Sequence, residues 1–124
     1  KSIKAHERND FLVTFPAVLK KKPYTLINFK KDRFLKKIRQ SRESKILKKK
    51  GYTDCGFFCC NTIILKKHLN KLIKSKKIIT KKTKEFDFLL SLNILTREHK
   101  IKVLESSNIK DSIGINFKED LNFL

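Results

Sequence analysis

The hydrophobic pattern changes its period several times between residues 61 and 117, and this change predicts a small folded module. Residues 61 to 65 form a short apolar run with β-branched side chains, which indicates a strand. Leu65, Leu69, Leu72 and Ile73 follow at helical spacing. We therefore expect a strand and then a short helix at the beginning of this module.

The module continues with a helix and two strands. The helix follows Ile78 and Ile79, and Thr80 or Thr83 is available to cap it. Its apolar-face pattern consists of Phe86, Leu89, Leu90, Asn93 and Ile94. Residues 101 to 104 and 113 to 117 alternate apolar with polar or small side chains, so each run predicts a strand with one buried face. These elements predict an α/β, small mixed strand-helix module over residues 61 to 124, with a shared core of Leu65, Leu69, Leu89, Leu90, Val103 and Ile115.

The chain is strongly basic, with 31 lysine and arginine residues against 12 aspartate and glutamate residues and a formal net charge of +19. This excess is more than solubility requires, and a polyanionic partner would relieve the self-repulsion. Only five of the basic residues are arginine, which favours many lysine contacts with a nucleic-acid backbone over a few specific ones. No run approaches the roughly 18 apolar residues that a spanning helix requires, so we expect no membrane partner.

Residues 1 to 45 contain only short apolar runs, which Pro16, Pro23 and dense lysine separate. Residues 11 to 15 predict a short strand that Pro16 ends, residues 24 to 29 an extended segment, and residues 30 to 42 a basic amphipathic helix. Such short runs bury too little area to offset an ordering cost of about 1 to 2 kcal/mol per residue. We therefore predict a basic N-terminal extension at residues 1 to 45 that depends on RNA for its structure, and a connector at residues 46 to 60.

Three consecutive lysines, at residues 48 to 50, stand directly before Gly51 and Tyr52. Adjacent ammonium groups repel unless an anion lies beside them, and a glycine lets the backbone approach a surface closely. Tyr52 either stacks on a base or begins the core, and the sequence leaves both interpretations open. The predicted RNA contacts are Lys20, Lys21, Lys22, Lys30, Lys31, Arg33, Lys36, Lys37, Arg39, Arg42, Lys45, Lys48, Lys49, Lys50, Gly51 and Tyr52.

Five pieces of the chain occur in a characteristic order. They are Gly51 with Tyr52 after a basic leucine-containing stretch, residues 61 to 72, residues 79 to 94, residues 102 to 104, and residues 109 to 115. Over about residues 46 to 117 this order resembles the bacterial-type ribosomal large-subunit protein fifteen family. The resemblance implies a structural constituent of the large ribosomal subunit that binds rRNA and neighbouring ribosomal proteins. Family members begin with a glycine-rich extension, but this chain has no glycine before Gly51, so those contacts are not carried over.

The composition is rich in lysine, isoleucine, asparagine and phenylalanine and contains no tryptophan or methionine. An AT-biased genome produces such a composition, and with the family resemblance it suggests a mitochondrial ribosome, or alternatively a plastid ribosome. The other alternative is a free-standing DNA- or RNA-binding regulator. A regulator requires base-reading Arg, Asn or Gln on one helix face, whereas the predicted helices here carry almost only lysine.

The sequence shows no constellation of catalytic residues, so we expect neither an enzyme nor a small-molecule substrate. The histidines His6, His68 and His99 are scattered among lysines. Cys55, Cys59, Cys60 and His68 offer four possible zinc ligands, but their spacing matches no standard knuckle. We therefore expect no metal and no cofactor. Three cysteines, an odd number, also indicate that there is no disulfide framework.

Overall fold

The computed structural model describes residues 2–43 and 50–112. It is a small mixed α/β protein with a six-stranded sheet, which confirms the predicted class. The strands are β1 (Val13–Lys21), β2 (Thr25–Phe29), β3 (Leu35–Gln40), β4 (Lys50–Asp54), β5 (Cys59–Cys60) and β6 (Ile101–Ser106). The helices are α1 (Ser2–Glu7), α2 (Thr62–Lys74) and α3 (Phe88–Leu95), with a 3₁₀ turn at Ile109–Ser112. The strand predicted at residues 113 to 117 lies outside the described residues.

β1 is the central strand of the sheet. On one edge it pairs antiparallel with β4 and β5, and on the other edge it pairs parallel with β6. β2 lies between β3 and β4 and is antiparallel to both. The predicted N-terminal extension therefore supplies three strands of one sheet, and the structure does not support a separate extension at residues 1 to 45.

Pro16 lies inside β1 and does not end it, so the prediction of a strand that stops at residue 15 is wrong. β5 pairs with β1 at residues 13 and 14, β4 pairs from Ala17 onward, and the ladder on this edge is interrupted between them. The Pro16 carbonyl faces the interruption and accepts from the Cys55 N–H at 3.2 Å. The N–H and C=O of a strand residue point to the same edge, so the missing proline N–H falls where no ladder partner is needed.

The two edge strands of the sheet, β3 and β6, meet at one corner. Phe34, just before β3, forms an antiparallel bridge with Lys102 of β6, and the Val103 N–H donates to the Arg33 carbonyl at 2.9 Å. The Lys102 ammonium donates to the Asp32 carbonyl at 2.6 Å. The sheet therefore curls until its ends touch, which removes part of its free edge.

The hydrophobic core lies between the sheet and helices α2 and α3. Its fully or almost fully buried members are Val13, Phe15 and Ala17 of β1, Ile27 of β2, Leu35 and Ile38 of β3, Ile101 and Val103 of β6, Leu65 and Leu72 of α2, Leu92 and Leu95 of α3, and Leu12 and Ile78 outside these elements. These side chains come from both ends of the described chain. Because apolar burial is the main favourable term in folding, the two ends stabilise each other.

Residues 62 to 65 form the first turn of α2, so the strand predicted at residues 61 to 65 is wrong. The Asn61 side chain caps this helix by accepting from the Ile64 N–H at 3.2 Å. The cap turns the chain into a helix, where the β-branched Ile63 is 84% exposed and Leu65 faces the core. The cap and the leucine spacing outweigh the β propensity of this run.

Helix α3 is capped by Asp87 and not by Thr80 or Thr83. The Asp87 carboxylate accepts from the Leu90 N–H at 3.1 Å, while the Thr80 hydroxyl lies 2.5 Å from that of Thr83 in the preceding loop. The predicted core is correct at Leu65 and Val103, and Leu69 and Leu89 pack against it. Leu90 is only half-buried, and the fully buried leucine of this helix is Leu92. Ile115 lies outside the described residues.

Residues 35 to 40 form β3, so the basic amphipathic helix predicted over residues 30 to 42 is wrong. The successive residues Asn28 and Phe29 of β2 pair with Lys37 and Leu35, so Lys36 is the extra residue of a β-bulge in β3. The bulge leaves two successive residues, Lys36 and Lys37, exposed between the buried Leu35 and Ile38. Apolar residues three positions apart imitate a helix, which explains the error.

Packing inside the protein accounts for a glycine at position 51 without any contact to RNA. A Cβ at this position would lie 2.3 Å from Leu26 Cδ1, and Leu26 is 2% exposed. We expect Gly51→Ala to lower the free energy of unfolding by about 1 to 3 kcal/mol, because the buried leucine side chain must leave its packed position to admit the added methyl group. In urea denaturation, the double variant Gly51→Ala/Leu26→Ala should lose less than the sum of the single losses. Additive losses would show that the two groups do not collide.

Candidate nucleic-acid interface

A group of lysines lies at one end of the sheet. β1 ends and β4 begins there, and the strand register places Lys21 directly opposite Lys50. The antiparallel pairing of Ile27 with Tyr52 brings the end of β2 to the same end of the sheet. The turn after β2 contains Lys30 and Lys31. Like charges opposite each other in a sheet are unfavourable, so an anion at this end would stabilise the arrangement.

A second basic group lies on β3 itself. Lys37 and Arg39 alternate with the buried Ile38 and Gln40, so both project from the exposed face of this strand. Lys36, at the bulge, is exposed as well. On the edge of β3, the Asn93 side chain donates to the Ile38 carbonyl at 2.8 Å and accepts from its N–H at 2.7 Å. This pair holds α3 beside the strand and leaves the basic face of β3 open.

Several predicted contacts form no salt bridge among the described residues, and all but one of them are exposed. They are Lys21, Lys22, Lys30, Lys31, Lys36, Lys37, Arg39 and Lys50, together with the half-buried Lys20. Within residues 2–43 and 50–112, no carboxylate forms a salt bridge with any of them. Lys45, Lys48 and Lys49 lie outside the described residues.

Arg33 and Tyr52 have partners within the protein. The Arg33 guanidinium donates to the Glu105 carboxylate at 2.5 Å and lies over the Phe29 ring at 4.6 Å from its centroid. The Tyr52 hydroxyl donates to the same carboxylate, and its ring packs edge-on against Phe29 with centroids 5.0 Å apart. Of the two interpretations of Tyr52, the structure favours packing against the core.

Arg42 also pairs inside the protein. Its Nε donates to the Gln40 side chain at 2.9 Å, and its terminal nitrogens lie 3.6 Å from the carboxylates of Glu85 and Asp87. The Asp87 carboxylate is buried, so this arginine joins β3 to the beginning of α3. Four predicted RNA contacts therefore have structural roles within the protein instead. They are Arg33, Arg42, Gly51 and Tyr52.

Further exposed lysines were not among the predicted contacts. On α2 they are Lys66, Lys67, Lys71 and Lys74, and in the loop that leads to α3 they are Lys76, Lys77, Lys81, Lys82 and Lys84. For the four lysines of α2 the signal was present in the sequence, since the leucine spacing places them away from the side of the helix that faces the core.

The structure does not bring the three cysteines and His68 together as a group of metal ligands. Within the described residues, the possible metal ligands that lie close together are His68, Glu98 and His99, without a cysteine. Cys55, Cys59 and Cys60 are half-buried free thiols. Burial, with the negative charges of Asp111 and Asp54, raises the pKa of Cys55 to about 11. Burial and the neighbouring Cys59 raise the pKa of Cys60. Thiols that stay protonated at neutral pH are poor metal ligands and poor nucleophiles.

Two histidines that are distant in sequence meet in the fold. The Nε2 atoms of His68 and His99 lie 2.8 Å apart, a contact that their scattered positions in the sequence did not reveal. His6 lies elsewhere, with Nδ1 3.0 Å from the Thr14 hydroxyl.

No protein-family model matches the chain. The search of curated proteins also finds no match. Among the described residues, no helix combines the length and the apolar character that crossing a membrane requires.

Proposed function

We propose that this protein binds the phosphate backbone of a structured RNA, and that it does so as a structural constituent of a large ribosomal subunit. The observation that supports this most is the row of exposed basic side chains at the lysine end of the sheet and along β3, which have no carboxylate partners among the described residues. Unpaired cations on a rigid sheet neutralise phosphates and release counterions from the nucleic acid.

The side chains available for contact favour backbone binding over base reading. Lysine is a flexible point charge, and it supplies most of the exposed cations, whereas two of the arginines are already paired with carboxylates. The exposed face of α2 likewise presents lysines. A surface of this kind positions a protein on folded RNA without reading a specific sequence.

The ribosomal part of the proposal depends on the family resemblance, and the organelle depends on composition alone. Residues 102 to 104, which the resemblance takes as a strand, lie in β6, and α3 overlaps the unit at residues 79 to 94 in which the resemblance expects a helix. Residues 61 to 65, which the resemblance takes as a strand, form a helix instead. The charge and its placement are therefore the stronger support, and a mitochondrial ribosome, or alternatively a plastid one, is the first assembly in which to look.

The salt dependence of RNA binding tests the backbone contacts directly. For Lys21→Gln/Lys50→Gln we expect the slope of log affinity against log salt to fall by about 2 units on duplex RNA, because each phosphate contact contributes about 0.9. The matched control is Lys4→Gln/Lys110→Gln, which removes the same charge from α1 and the 3₁₀ turn. Equal slopes for the two double variants would show that net charge alone attracts the RNA.

Sedimentation of cell extracts separates the ribosomal assignment from its alternative. The wild-type chain should migrate with large ribosomal particles, and Lys21→Glu/Lys22→Glu/Lys50→Glu should remain near the top of the gradient. A wild-type chain found only in light fractions while it binds duplex DNA as tightly as RNA would instead establish the regulator.

A further inference from the structure

The contact between His68 and His99 joins two elements that pack separately on the sheet. His68 lies in the middle of α2, and His99 lies in the turn between α3 and β6. Their Nε2 atoms are 2.8 Å apart, their ring planes are inclined at 74°, and both side chains are half-buried. With complementary tautomers, one ring N–H donates to the lone pair of the other ring.

Glu98 completes a group of three possible ligands. One oxygen of its carboxylate and one nitrogen of each imidazole all lie within 4.8 Å of one another. Within the described part of the chain, this is the only group of three or more possible metal ligands. Because Glu98 is exposed, an ion can reach the group directly from solvent.

We propose that His68, His99 and Glu98 bind a divalent transition-metal ion of the Zn²⁺ type, which fastens α2 to the turn between α3 and β6. Two imidazole nitrogens and one carboxylate oxygen form a ligand set that suits Zn²⁺, and a water molecule takes the fourth position. This site goes beyond RNA binding and does not depend on it.

The ligand distances fit with a small adjustment. Zn²⁺ bonds of about 2.0 to 2.1 Å to nitrogen place the ligands of a tetrahedral ion about 3.3 Å apart. The two Nε2 atoms would therefore separate by about 0.5 Å when the ion replaces their hydrogen bond, and the ring that donated its Nε2 proton carries a proton on Nδ1 instead. The Glu98 oxygen lies within 4.8 Å of both nitrogens, so it must approach by up to about 1.5 Å, a movement that rotation of its exposed side chain supplies.

The positive charge of the chain opposes a cation, but its effect at this site is limited. The neighbouring Lys100 points its ammonium at the Phe34 ring, 5.9 Å from the centroid. Exposed charges farther away are screened over about 10 Å at 0.1 M salt. The carboxylate of Glu98 lies among the ligands and compensates one charge of the ion directly.

The test is a titration of the full-length chain, free of nucleic acid, with Co²⁺ followed by competition with Zn²⁺. We expect a single saturable visible absorption band, which Zn²⁺ removes. His99→Gln and Glu98→Gln should each weaken binding by about tenfold or more, because loss of even an outer partner of a metal ligand costs that much. Circular dichroism checks that both variants fold, and His99→Gln retains a polar group beside His68.

Two control variants exclude other ligands. His6→Asn removes the one histidine outside the group, and Cys55→Ser/Cys59→Ser/Cys60→Ser removes every thiol. Both should bind Co²⁺ as tightly as the wild type and without a thiolate charge-transfer band. The proposal is overturned by an absence of saturable binding, by unchanged binding in His99→Gln, or by loss of binding in the cysteine variant.

Discussion

Phe15→Ala is expected to lower the free energy of unfolding by about 3 to 5 kcal/mol. Phe15 is fully buried at the centre of β1, and its ring packs against Phe58 with centroids 5.2 Å apart. On the neighbouring strand it is paired with Val103 of β6. The substitution therefore opens a cavity where the two ends of the described chain meet. Urea denaturation measures the loss as a change in midpoint at constant slope.

The same variant tests whether the first 45 residues fold with the rest. Limited trypsin digestion of the free protein should show that residues 13 to 40 and 59 to 106 lose protection together, because they share one sheet and one core. Phe57→Ala is the matched control, since this ring is 47% exposed and its removal should change stability by less than about 0.5 kcal/mol. Survival of residues 59 to 106 after cleavage of the first strands would instead restore an independent extension.

Local periodicity revealed the elements whose burial follows one simple period. The extended segment predicted at residues 24 to 29 contains strand β2, and the strand predicted at residues 101 to 104 is part of β6. The leucine spacing from Leu65 to Leu72 lies in helix α2. Periodicity failed where a single residue changed the local geometry. Asn61 caps a helix where the apolar run predicted a strand, and the bulge in β3 gave that strand the apolar spacing of a helix.

Long-range pairing was the other source of error. Proline is excluded from most positions inside a sheet. Pro16 fits inside β1 only because the β4 and β5 ladders leave a gap there. No pattern within residues 1 to 45 shows that their apolar runs meet β6 or the helices. An estimate based on those residues alone therefore underestimated the area that they bury.

For the candidate interface, the sequence showed which residues are charged but not which are free. Arg33 and its partner Glu105 are 72 positions apart. Arg42 meets the buried Asp87 across the β3–α3 contact, and Tyr52 joins Glu105. The lysines among the predicted contacts that the structure describes are all exposed except the half-buried Lys20, because a charged side chain on the polar side of a strand requires no distant partner.

Asp87→Ala is expected to lower the free energy of unfolding by about 2 to 4 kcal/mol. Loss of a helix N-cap costs about 0.5 to 2 kcal/mol, and loss of a buried acceptor adds about 1 to 3 kcal/mol. Asp87 has both roles: it is 4% exposed, it caps α3 at the Leu90 N–H, and its other oxygen accepts from the Gln40 side chain. Thermal and urea unfolding measure the total.

Two further variants separate these contributions. Asp87→Asn retains an oxygen for the cap but removes the charge that faces Arg42, 3.6 Å away, so we expect a smaller loss than with alanine. Asp10→Ala removes the same negative charge from an exposed position and should change stability by less than about 0.5 kcal/mol. If Asp10→Ala were as destabilising as Asp87→Ala, the cause would be the larger net positive charge of the chain, and the contact that holds α3 against β3 would contribute little.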